Sequence, residues 1–245
     1  MRMKKINMHK FMGVFNMKKG IIKNVIITGL ISIMAVGLVG CGNSGTKKED
    51  TGVLDSIKES GKLVVGLSAD YAPYEFHIIE NGQDKIVGFD VSLAKEIADE
   101  LDVELEIKEM DFDALITALP AGKVDMVISG MNPTEKRKKA VDFSDIYYTA
   151  NHGILVRAED ADKYTNFSDL DGLKVGAQLG STQAELASTL IKDANLQLLS
   201  NVNNLILELK SGKVDAVVME VGVAQMAVKN NPELAVGKPV YEETE

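Results

Sequence analysis

Four consecutive cations, Lys136 to Lys139, are the residues of this sequence most suggestive of chemistry, and they lie in the stretch SGMNPTEKRKKAVDFS (129–144). Such a run could bind nucleic acid, form a solvated helix face, or contain one cation with a specific task. An apolar run stops at Gly130, and a helix is expected to begin beyond it, over Pro133 to Lys139, with Thr134 as its cap. The free N–H groups at such a helix start favour an anion.

Composition and charge narrow the class of protein. The 245 residues allow one or two domains, and 45% hydrophobic residues are enough for a globular core. Residues 1–40 contain seven Lys or Arg and no acid, so the rest of the chain carries 20 cations against 36 acids. An acidic body argues against nucleic-acid binding, because the neutralisation of phosphates needs the opposite charge.

Catalytic and metal-binding motifs are lacking in the sequence. The three histidines, His9, His77 and His152, are isolated, and no GxSxG, HExxH or P-loop pattern occurs. His77 and His152 are therefore expected at the surface or in a hinge. A single cysteine also leaves no disulfide and no Cys-based metal site. We expect no catalytic residue, no metal and no cofactor.

The first forty residues have the features of a targeting segment. Basic residues precede an uncharged apolar run, 24–40, which is short for a membrane span and suits a signal peptide. The run ends in Leu38-Val39-Gly40-Cys41, which resembles the bacterial lipobox, whose cysteine is lipidated after cleavage. An uncleaved membrane anchor and a buried thiol are the alternatives for Cys41. Residues 41–52 (CGNSGTKKEDTG) have the composition of a flexible tether.

The body of the chain alternates between strand and helix patterns. Strands are predicted at 62–66, 103–107 and 124–129, and helices at 90–101 and 112–119. This order indicates an α/β fold with a largely parallel sheet that is covered on both faces.

One segment is repeated along the chain. ALPAGKVDMVISG (118–130) and ELKSGKVDAVVME (208–220) share Gly-Lys-Val-Asp, with a helix pattern before the glycine and a strand pattern after it. A period of 90 residues indicates two similar α/β lobes and not a solenoid, although a chance match of four residues is the alternative. Gly130 and Glu220 then occupy corresponding strand ends, where ligands bind in open α/β sheets.

Five stretches together resemble the amino-acid-type solute-binding lipoproteins of bacterial ABC importers, which have the type II periplasmic-binding-protein fold. The matching stretches are VVGLSADYAPYEF (64–76), GFDVSLAKEIADEL (88–101), DFDALITALPAGKVDMVISGMNPTEKRKKAVDFSDIYY (111–148), LKVGAQLGST (173–182) and SGKVDAVVMEVGVA (211–224). The resemblance implies two similar lobes that are joined by two hinge strands and bind a free amino acid in the cleft between them.

The resemblance also implies the division of the chain. The expected parts are a signal peptide ending in a lipobox (1–40), a tether (41–52), lobe 1 (53–149), lobe 2 (150–238) and the start of the return hinge crossing (239–245). Similar proteins usually continue for a few dozen residues beyond the second hinge. Lobe 1 is therefore expected to be incomplete at its C-terminus.

In this family an arginine forks onto the α-carboxylate of the ligand, and the matching residue here is Arg137. Gly130 and Asn132 would supply backbone groups to the same carboxylate, with Ser129 beside them, although Gly130 could be a turn glycine alone. The other three cations, Lys136, Lys138 and Lys139, are expected to be solvated or to form a docking surface.

The resemblance assigns three ligand contacts to lobe 2. Ser181 and Thr182 would contact the carboxylate when the lobes close, and Thr182 with Glu185 also has the spacing of a capping box. Capping alone is the alternative for these residues. Glu220 matches the acid that accepts the ligand's α-ammonium group, where the commonest residue is Asp.

Aromatic residues would hold the aliphatic part of the ligand. Tyr71 and Phe112 match the pair that sandwiches it, with core packing as the alternative, and Tyr74 is ambiguous between the two.

The residue at position 68 bears on the ligand's side chain. Ser68 lies where binders of basic amino acids have an acid, which favours a neutral polar side chain. Asp70 and Glu75 are close enough in sequence to reverse that preference.

The function that this resemblance implies is capture of a free amino acid, which is expected to be polar, and its delivery to an ABC permease and its ATPase subunits. The protein is then expected to be a monomer that is lipid-anchored at the outer face of the cytoplasmic membrane and is not an enzyme. The alternatives are a ligand-sensing domain of a signalling receptor and a dehydratase on the same fold.

Overall fold

The computed structural model describes residues 52–242 of the chain. The predicted signal peptide, the lipobox and nearly all of the tether lie outside the described residues. No helix among the described residues combines the length and apolar composition that crossing a bilayer requires. The helices are α1 Val53–Ser60, α2 Phe89–Glu100, α3 Phe112–Ala118, α4 Thr182–Leu190, α5 Val202–Lys210 and α6 Val221–Asn230. The strands are β1 Lys62–Leu67, β2 Asp70–Tyr71, β3 Glu75–Glu80, β4 Gln83–Val87, β5 Glu104–Glu109, β6 Met126–Val127, β7 His152–Arg157, β8 Lys174–Gln178, β9 Asn195–Leu199, β10 Ala216–Glu220 and β11 Leu234–Tyr241.

Two α/β sheets form from these strands, one in each of the ranges predicted as lobe 1 and lobe 2. The first has the order β5-β1-β6 and is parallel, and a small antiparallel sheet, β2-β3-β4, follows β1 in the chain. The second has the order β11-β7-β10-β8-β9, in which β8 pairs in parallel with β10 and β9, and β7 pairs antiparallel with β10 and β11. The α/β prediction is confirmed, and the exact lobe boundaries stay a prediction.

The Gly-Lys-Val-Asp repeat ends one helix in each lobe. Gly122 and Gly212 have positive φ angles of 65° and 72°, which glycine adopts without steric cost. Each donates its N–H to a carbonyl of the preceding helix or its cap, that of Leu119 or Leu209. The chain therefore turns sharply at both sites and enters the next strand in the same way.

The aspartate of each repeat then fixes the strand beside it. Asp125 donates its N–H to the Val64 carbonyl, and its Oδ2 accepts the Val64 N–H at 2.9 Å. Asp215 makes the same two bonds with Lys174, where its Oδ2 accepts the backbone N–H at 3.0 Å. The repeated sequence therefore makes the same backbone hydrogen bonds in both lobes.

A predicted α-helix over Pro133 to Lys139 does not form. Only a single 3₁₀ turn, Arg137–Lys139, is present, and Thr134 Oγ1 accepts the Arg137 N–H at 3.2 Å. The segment offers no apolar face to pack, and without packing a short helix is not stable in water. The strand predicted over 124–129 is likewise shorter, at Met126–Val127.

Removing the repeat aspartate is expected to destabilise lobe 1. Asp125→Ala leaves the Val64 N–H without its acceptor, which should lower the free energy of unfolding by about 1–3 kcal/mol. The change is measured by urea unfolding of the full chain. Lys123→Ala is the matched control, because this repeat residue is exposed, and its effect should stay within about 0.5 kcal/mol. Equal stability of the Asp125→Ala variant and the wild type would show that the contact carries no energy.

Candidate functional site

Most of the predicted site residues follow the carboxyl ends of parallel strands. Ser68 comes directly after β1, and Ser129 and Gly130 follow β6. Ser181 follows β8, and Glu220 is the last residue of β10. Because parallel strands end at the same edge of their sheet, each lobe brings its residues to one edge.

Tyr71 of lobe 1 connects this edge to lobe 2. Its hydroxyl oxygen accepts the backbone N–H of Glu220 at 3.2 Å and the side-chain N–H of Gln183 at 3.3 Å. A Cβ atom added to Gly130 would lie 3.9 Å from the Tyr71 ring. Burial and the nearby Glu220 charge both raise the pKa of Tyr71. Tyr71 is therefore a neutral hydroxyl group at the boundary between the lobes.

The aromatic pair Tyr71 and Tyr74 also belongs to an apolar cluster that both lobes form. The two rings are stacked with centroids 5.9 Å apart, and they share this cluster with Leu205, Val217 and Met219 of lobe 2. Core packing, the alternative for Tyr71, is thus also a real role of this ring.

Arg137 differs from the three lysines beside it, which are all exposed. It is partly buried, and its guanidinium donates to the carbonyls of Asn132 at 2.8 Å and Gly180 at 2.9 Å. The guanidinium carbon also lies 5.4 Å from the centroid of the Phe112 ring. Burial lowers the pKa of Arg137, and the Glu185 charge opposes this shift. One cation of the four thus has a specific position between the lobes.

Ser181, and not Thr182, caps helix α4. Its hydroxyl accepts the Ala184 N–H at 3.1 Å, so the capping box predicted for Thr182 and Glu185 is wrong by one residue. The cause is that Ser181 has extended backbone angles, whereas Thr182 is already helical. The Thr182 hydroxyl donates instead to Asn132 Oδ1 of lobe 1 at 3.2 Å.

A chain of hydrogen bonds joins the serines of lobe 1. Ser129 Oγ accepts the Ser68 N–H at 3.1 Å and donates to Glu75 Oε1 at 2.6 Å. Ser68 Oγ donates to Asp70 Oδ1 at 3.2 Å, and Asp70 Oδ2 accepts the Val202 N–H of lobe 2 at 2.7 Å. The loops at this edge are therefore fixed to each other and to helix α5.

Glu220 is buried, with 4% of its surface exposed, at the C-terminal end of β10. Burial raises the pKa of Tyr74, and the charge of Glu220 and a hydrogen bond with it raise this pKa further. The lobe 2 acid is thus a neighbour of both tyrosines of lobe 1.

Several residues of the site were not among the predicted ligand contacts. Asp70 and Gln183 connect the two lobes, and Asp90 contacts the Gly130 loop. The burial of Asp90 could have been predicted from the sequence. It lies four and eight residues before Ala94 and Ala98, and this spacing places it on the same buried face of α2. Gln183 gave no signal, because its partners lie far from it in the sequence.

His77 and His152 both contact other side chains of the protein. His152 is buried at the start of β7, and its Nδ1 lies 3.2 Å from Gln183 Nε2. His77 is partly exposed and pairs with Asp84 and Glu109, which raises its pKa.

The geometry links all ten predicted ligand residues through direct contacts or shared loops. The partly buried cation Arg137 lies beside the Phe112 ring, and the buried acid Glu220 lies beside Tyr71. Such an arrangement can bind a small zwitterion by charge-assisted hydrogen bonds at both ends. That these residues touch a ligand remains a prediction.

Comparison with protein families gives one match over most of the body. A family model described as "Bacterial extracellular solute-binding proteins, family 3" matches residues 63–220. The chain is 43% identical over 201 residues to the arginine-binding extracellular protein ArtP of Bacillus subtilis, covering 80% of this chain and 72% of that protein. It is 33% identical over 223 residues to a probable histidine-binding protein of Campylobacter jejuni, covering 91% and 82%.

Solved structures show the same fold. The amino acid ABC transporter substrate-binding protein AbpA from Streptococcus pneumoniae, bound to L-arginine, is 45% identical with a TM-score of 0.75, covering 78% of this chain and 80% of that one. The holo ArgBP structure from T. maritima is 41% identical with a TM-score of 0.71, covering 77% and 83%. The predicted type II periplasmic-binding-protein fold is confirmed by these structural neighbours.

Proposed function

Because the chain belongs to the bacterial extracellular solute-binding proteins of family 3, which capture amino acids for ABC importers, we propose that its ligand is arginine. The family and the relatives are transport proteins and not enzymes, and we extend this to the present chain. The proposal is supported first by the charges that line the site.

The balance of buried charge favours a cationic ligand. Among residues 52–242, four acids are buried, namely Asp70, Glu75, Asp90 and Glu220, whereas no lysine or arginine is. Arg137 is partly buried and supplies one positive charge. A ligand with a net positive charge offsets this excess of acid, because buried charges need partners of opposite sign.

This ligand revises the preference for a neutral side chain that Ser68 suggested. The Ser68 hydroxyl donates to the buried carboxylate of Asp70, so an acid does lie beside this position in the folded protein. Burial raises the pKa of Asp70, while its bonds from Val202 and Ser68 lower it. A bound guanidinium would stabilise the ionised form further. The Streptococcus pneumoniae relative, whose structure contains bound L-arginine, points in the same direction.

The backbone of the amino acid would be held from both lobes. Arg137 has donors to spare beyond its two bonds to carbonyl groups and would pair with the α-carboxylate, together with Asn132, Ser181 and Thr182. The Gly130 N–H already donates to Asp90 at 2.6 Å, so the Ser129–Gly130 segment would contribute by its position beside the carboxylate. Glu220 would accept the α-ammonium group. Tyr71 and Phe112 would pack against the aliphatic part of the ligand.

The proposed membrane anchor rests on the N-terminal sequence, and the proposed lobe closure rests on the family resemblance. Residues 1–40 would act as a signal peptide, and Cys41 would carry the lipid that anchors the protein to the outer face of the cytoplasmic membrane. Lobes 53–149 and 150–238 of a monomer would close on the ligand and deliver it to the permease.

The first test compares arginine with citrulline, which has a neutral urea in place of the guanidinium. Arginine should bind at least about tenfold more tightly in calorimetry on the full chain in detergent, since a charge-assisted bond is lost with citrulline. Asp70→Asn should reduce this ratio, because Asn can accept from Val202 and donate to Ser68 but has no charge. Asp55→Asn, at an exposed position of helix α1, is the control and should leave the ratio unchanged. Equal affinities for arginine and citrulline in the wild type would rule out the arginine proposal.

The second test concerns the two ends of the zwitterion. Removal of one partner of a buried charge pair leaves the other uncompensated, so Arg137→Ala or Glu220→Gln should weaken arginine binding by about a hundredfold or more. Lys138→Ala should change the affinity little, because Lys138 is exposed and pairs with the exposed Glu135. Agmatine, which lacks the α-carboxylate, should fail to bind. A loss of binding in Lys138→Ala as large as in Arg137→Ala would mean that the carboxylate site is misassigned.

A third test addresses the anchor. Cys41→Ala should release the protein from the membrane fraction or leave an unprocessed precursor, because the lipid and the cleavage both depend on this cysteine. Fractionation and mass spectrometry of cells that express either form measure this. Unchanged mass and unchanged membrane association in the variant would refute lipidation at Cys41.

A further inference from the structure

Two buried carboxyl groups meet beneath the ligand edge of lobe 1. Glu75 at the start of β3 and Asp90 in the first turn of α2 are both 0% exposed. The Asp90 N–H donates to the Tyr74 carbonyl at 3.0 Å, which brings the start of α2 against β3. Gly88 makes this approach possible, because its φ is 140° and a Cβ atom there would lie 2.0 Å from the Tyr74 oxygen. The closeness of the two acids is therefore built into the backbone.

Each acid holds one residue of the predicted carboxylate-binding loop. Glu75 Oε1 accepts from the Ser129 hydroxyl at 2.6 Å. Asp90 Oδ2 accepts the Gly130 N–H at 2.6 Å and the Tyr147 hydroxyl at 3.0 Å. The Ser129–Gly130 segment is thus hydrogen-bonded to two different elements, β3 and α2.

The second oxygen of each acid has a different environment. Glu75 Oε2 and Asp90 Oδ1 are buried, and neither receives a hydrogen bond from a donor of the described residues. The two carboxyl groups bind adjacent residues, Ser129 and Gly130, and each is close enough to shift the pKa of the other. Two ionised carboxylates are acceptors only, so a bond between them needs a proton.

We propose that Glu75 and Asp90 share one proton at neutral pH, and that this carboxyl–carboxylate pair positions the Ser129–Gly130 segment for ligand binding. The pair then has one negative charge, and every one of its four oxygens has a hydrogen-bond partner. Two anions so close in a buried place would repel each other strongly, as in other acid pairs that hold a single proton.

The charges around the pair favour the shared proton. Burial raises the pKa of Glu75 well above its usual range, and the neighbouring charges of Asp90 and Asp70 add to this. Burial also raises the pKa of Asp90, but the bonds from Gly130 and Tyr147 oppose the shift. Glu75 is therefore the better holder of the proton, and Asp90 the better anion. Tyr147 itself stays neutral, since burial and Asp90 raise its pKa.

The raised pKa values of Glu75 and Asp90 determine how stability changes with pH. A carboxyl group with a raised folded-state pKa binds its proton more tightly in the folded protein than in the unfolded chain. The stability it contributes is present below the unfolded-state pKa and is lost as the pH rises through the folded-state pKa. The Ser129–Gly130 segment should loosen over the same range of pH.

The proton is tested directly by infrared spectroscopy on the full chain in detergent at pH 7. The wild type should show the C=O band of a protonated carboxyl group, and the band should be lost in both Glu75→Gln and Asp90→Asn. Glu96→Gln, an exposed acid of the same helix, is the control and should keep the band. If the wild type has no such band, or if the band persists in both variants, the shared proton is refuted.

A double-variant cycle tests the positioning role. The wild type should bind arginine more weakly as the pH rises and the shared proton is lost. In Glu75→Gln or Asp90→Asn alone, the amide N–H takes the place of that proton, so this alkaline decline in affinity should disappear. In the double variant two amide N–H groups face each other, and affinity should fall by roughly tenfold or more beyond the sum of the single effects. Additive effects would overturn the positioning role.

The link to the ligand rests on the proposed function, but the proton does not. If the band is present and assigned while arginine fails to bind, the shared proton holds and the ligand proposal fails. If arginine binds while the band is absent, the ligand proposal holds and the shared proton fails. If a variant does not fold, the wild-type band and its loss on alkaline titration still decide the question.

Discussion

Carboxylate oxygens that accept backbone N–H groups recur at each junction on which this protein depends. In the two lobes Asp125 and Asp215 bind the neighbouring strand in the same way. Asp70 binds the first N–H of α5 across the lobe boundary, and Asp90 binds Gly130 at the ligand edge. Such bonds are stronger than those between neutral groups and fix a loop in one direction. Several acids of the body thus stabilise the fold by accepting backbone N–H groups.

The boundary between the lobes combines this polar contact with an apolar one. Tyr71 packs with residues of lobe 2, while its hydroxyl accepts from Glu220 and Gln183. Arg137 reaches the Gly180 carbonyl from the other lobe. The same side chains therefore hold the lobes together and belong to the predicted ligand site. If the lobes close on a ligand by a hinge motion, as proposed, the same residues would take part in closure and in binding.

The four buried acids of the described residues carry an energetic cost, because burial disfavours a charged group. An ionised carboxylate away from water needs a partner or a proton. Asp70 has bonds from Val202 and Ser68, and Glu220 lies against Tyr74. A proton shared between Glu75 and Asp90 would remove one further charge. The site would then keep negative charge for the proposed cationic ligand, while fewer buried charges would oppose folding.

The sequence by itself determined the features that depend on local pattern. The order of strands and helices, the repeated Gly-Lys-Val-Asp turn and the special place of Arg137 among four cations could all be predicted, because periodicity, turn residues and family motifs are local signals. The family and its amino-acid ligand class followed from the same motifs.

Only the tertiary structure decided the contacts between distant segments. The helix over 133–139 and the cap at Thr182 were predicted from local signals and are wrong, because packing and backbone angles chose a 3₁₀ turn and Ser181 instead. The bond from Val202 to Asp70 and the pairing of Glu75 with Asp90 have no local signature. Each joins elements that become neighbours only when the sheets are assembled, and burial there sets the pKa values of the acids.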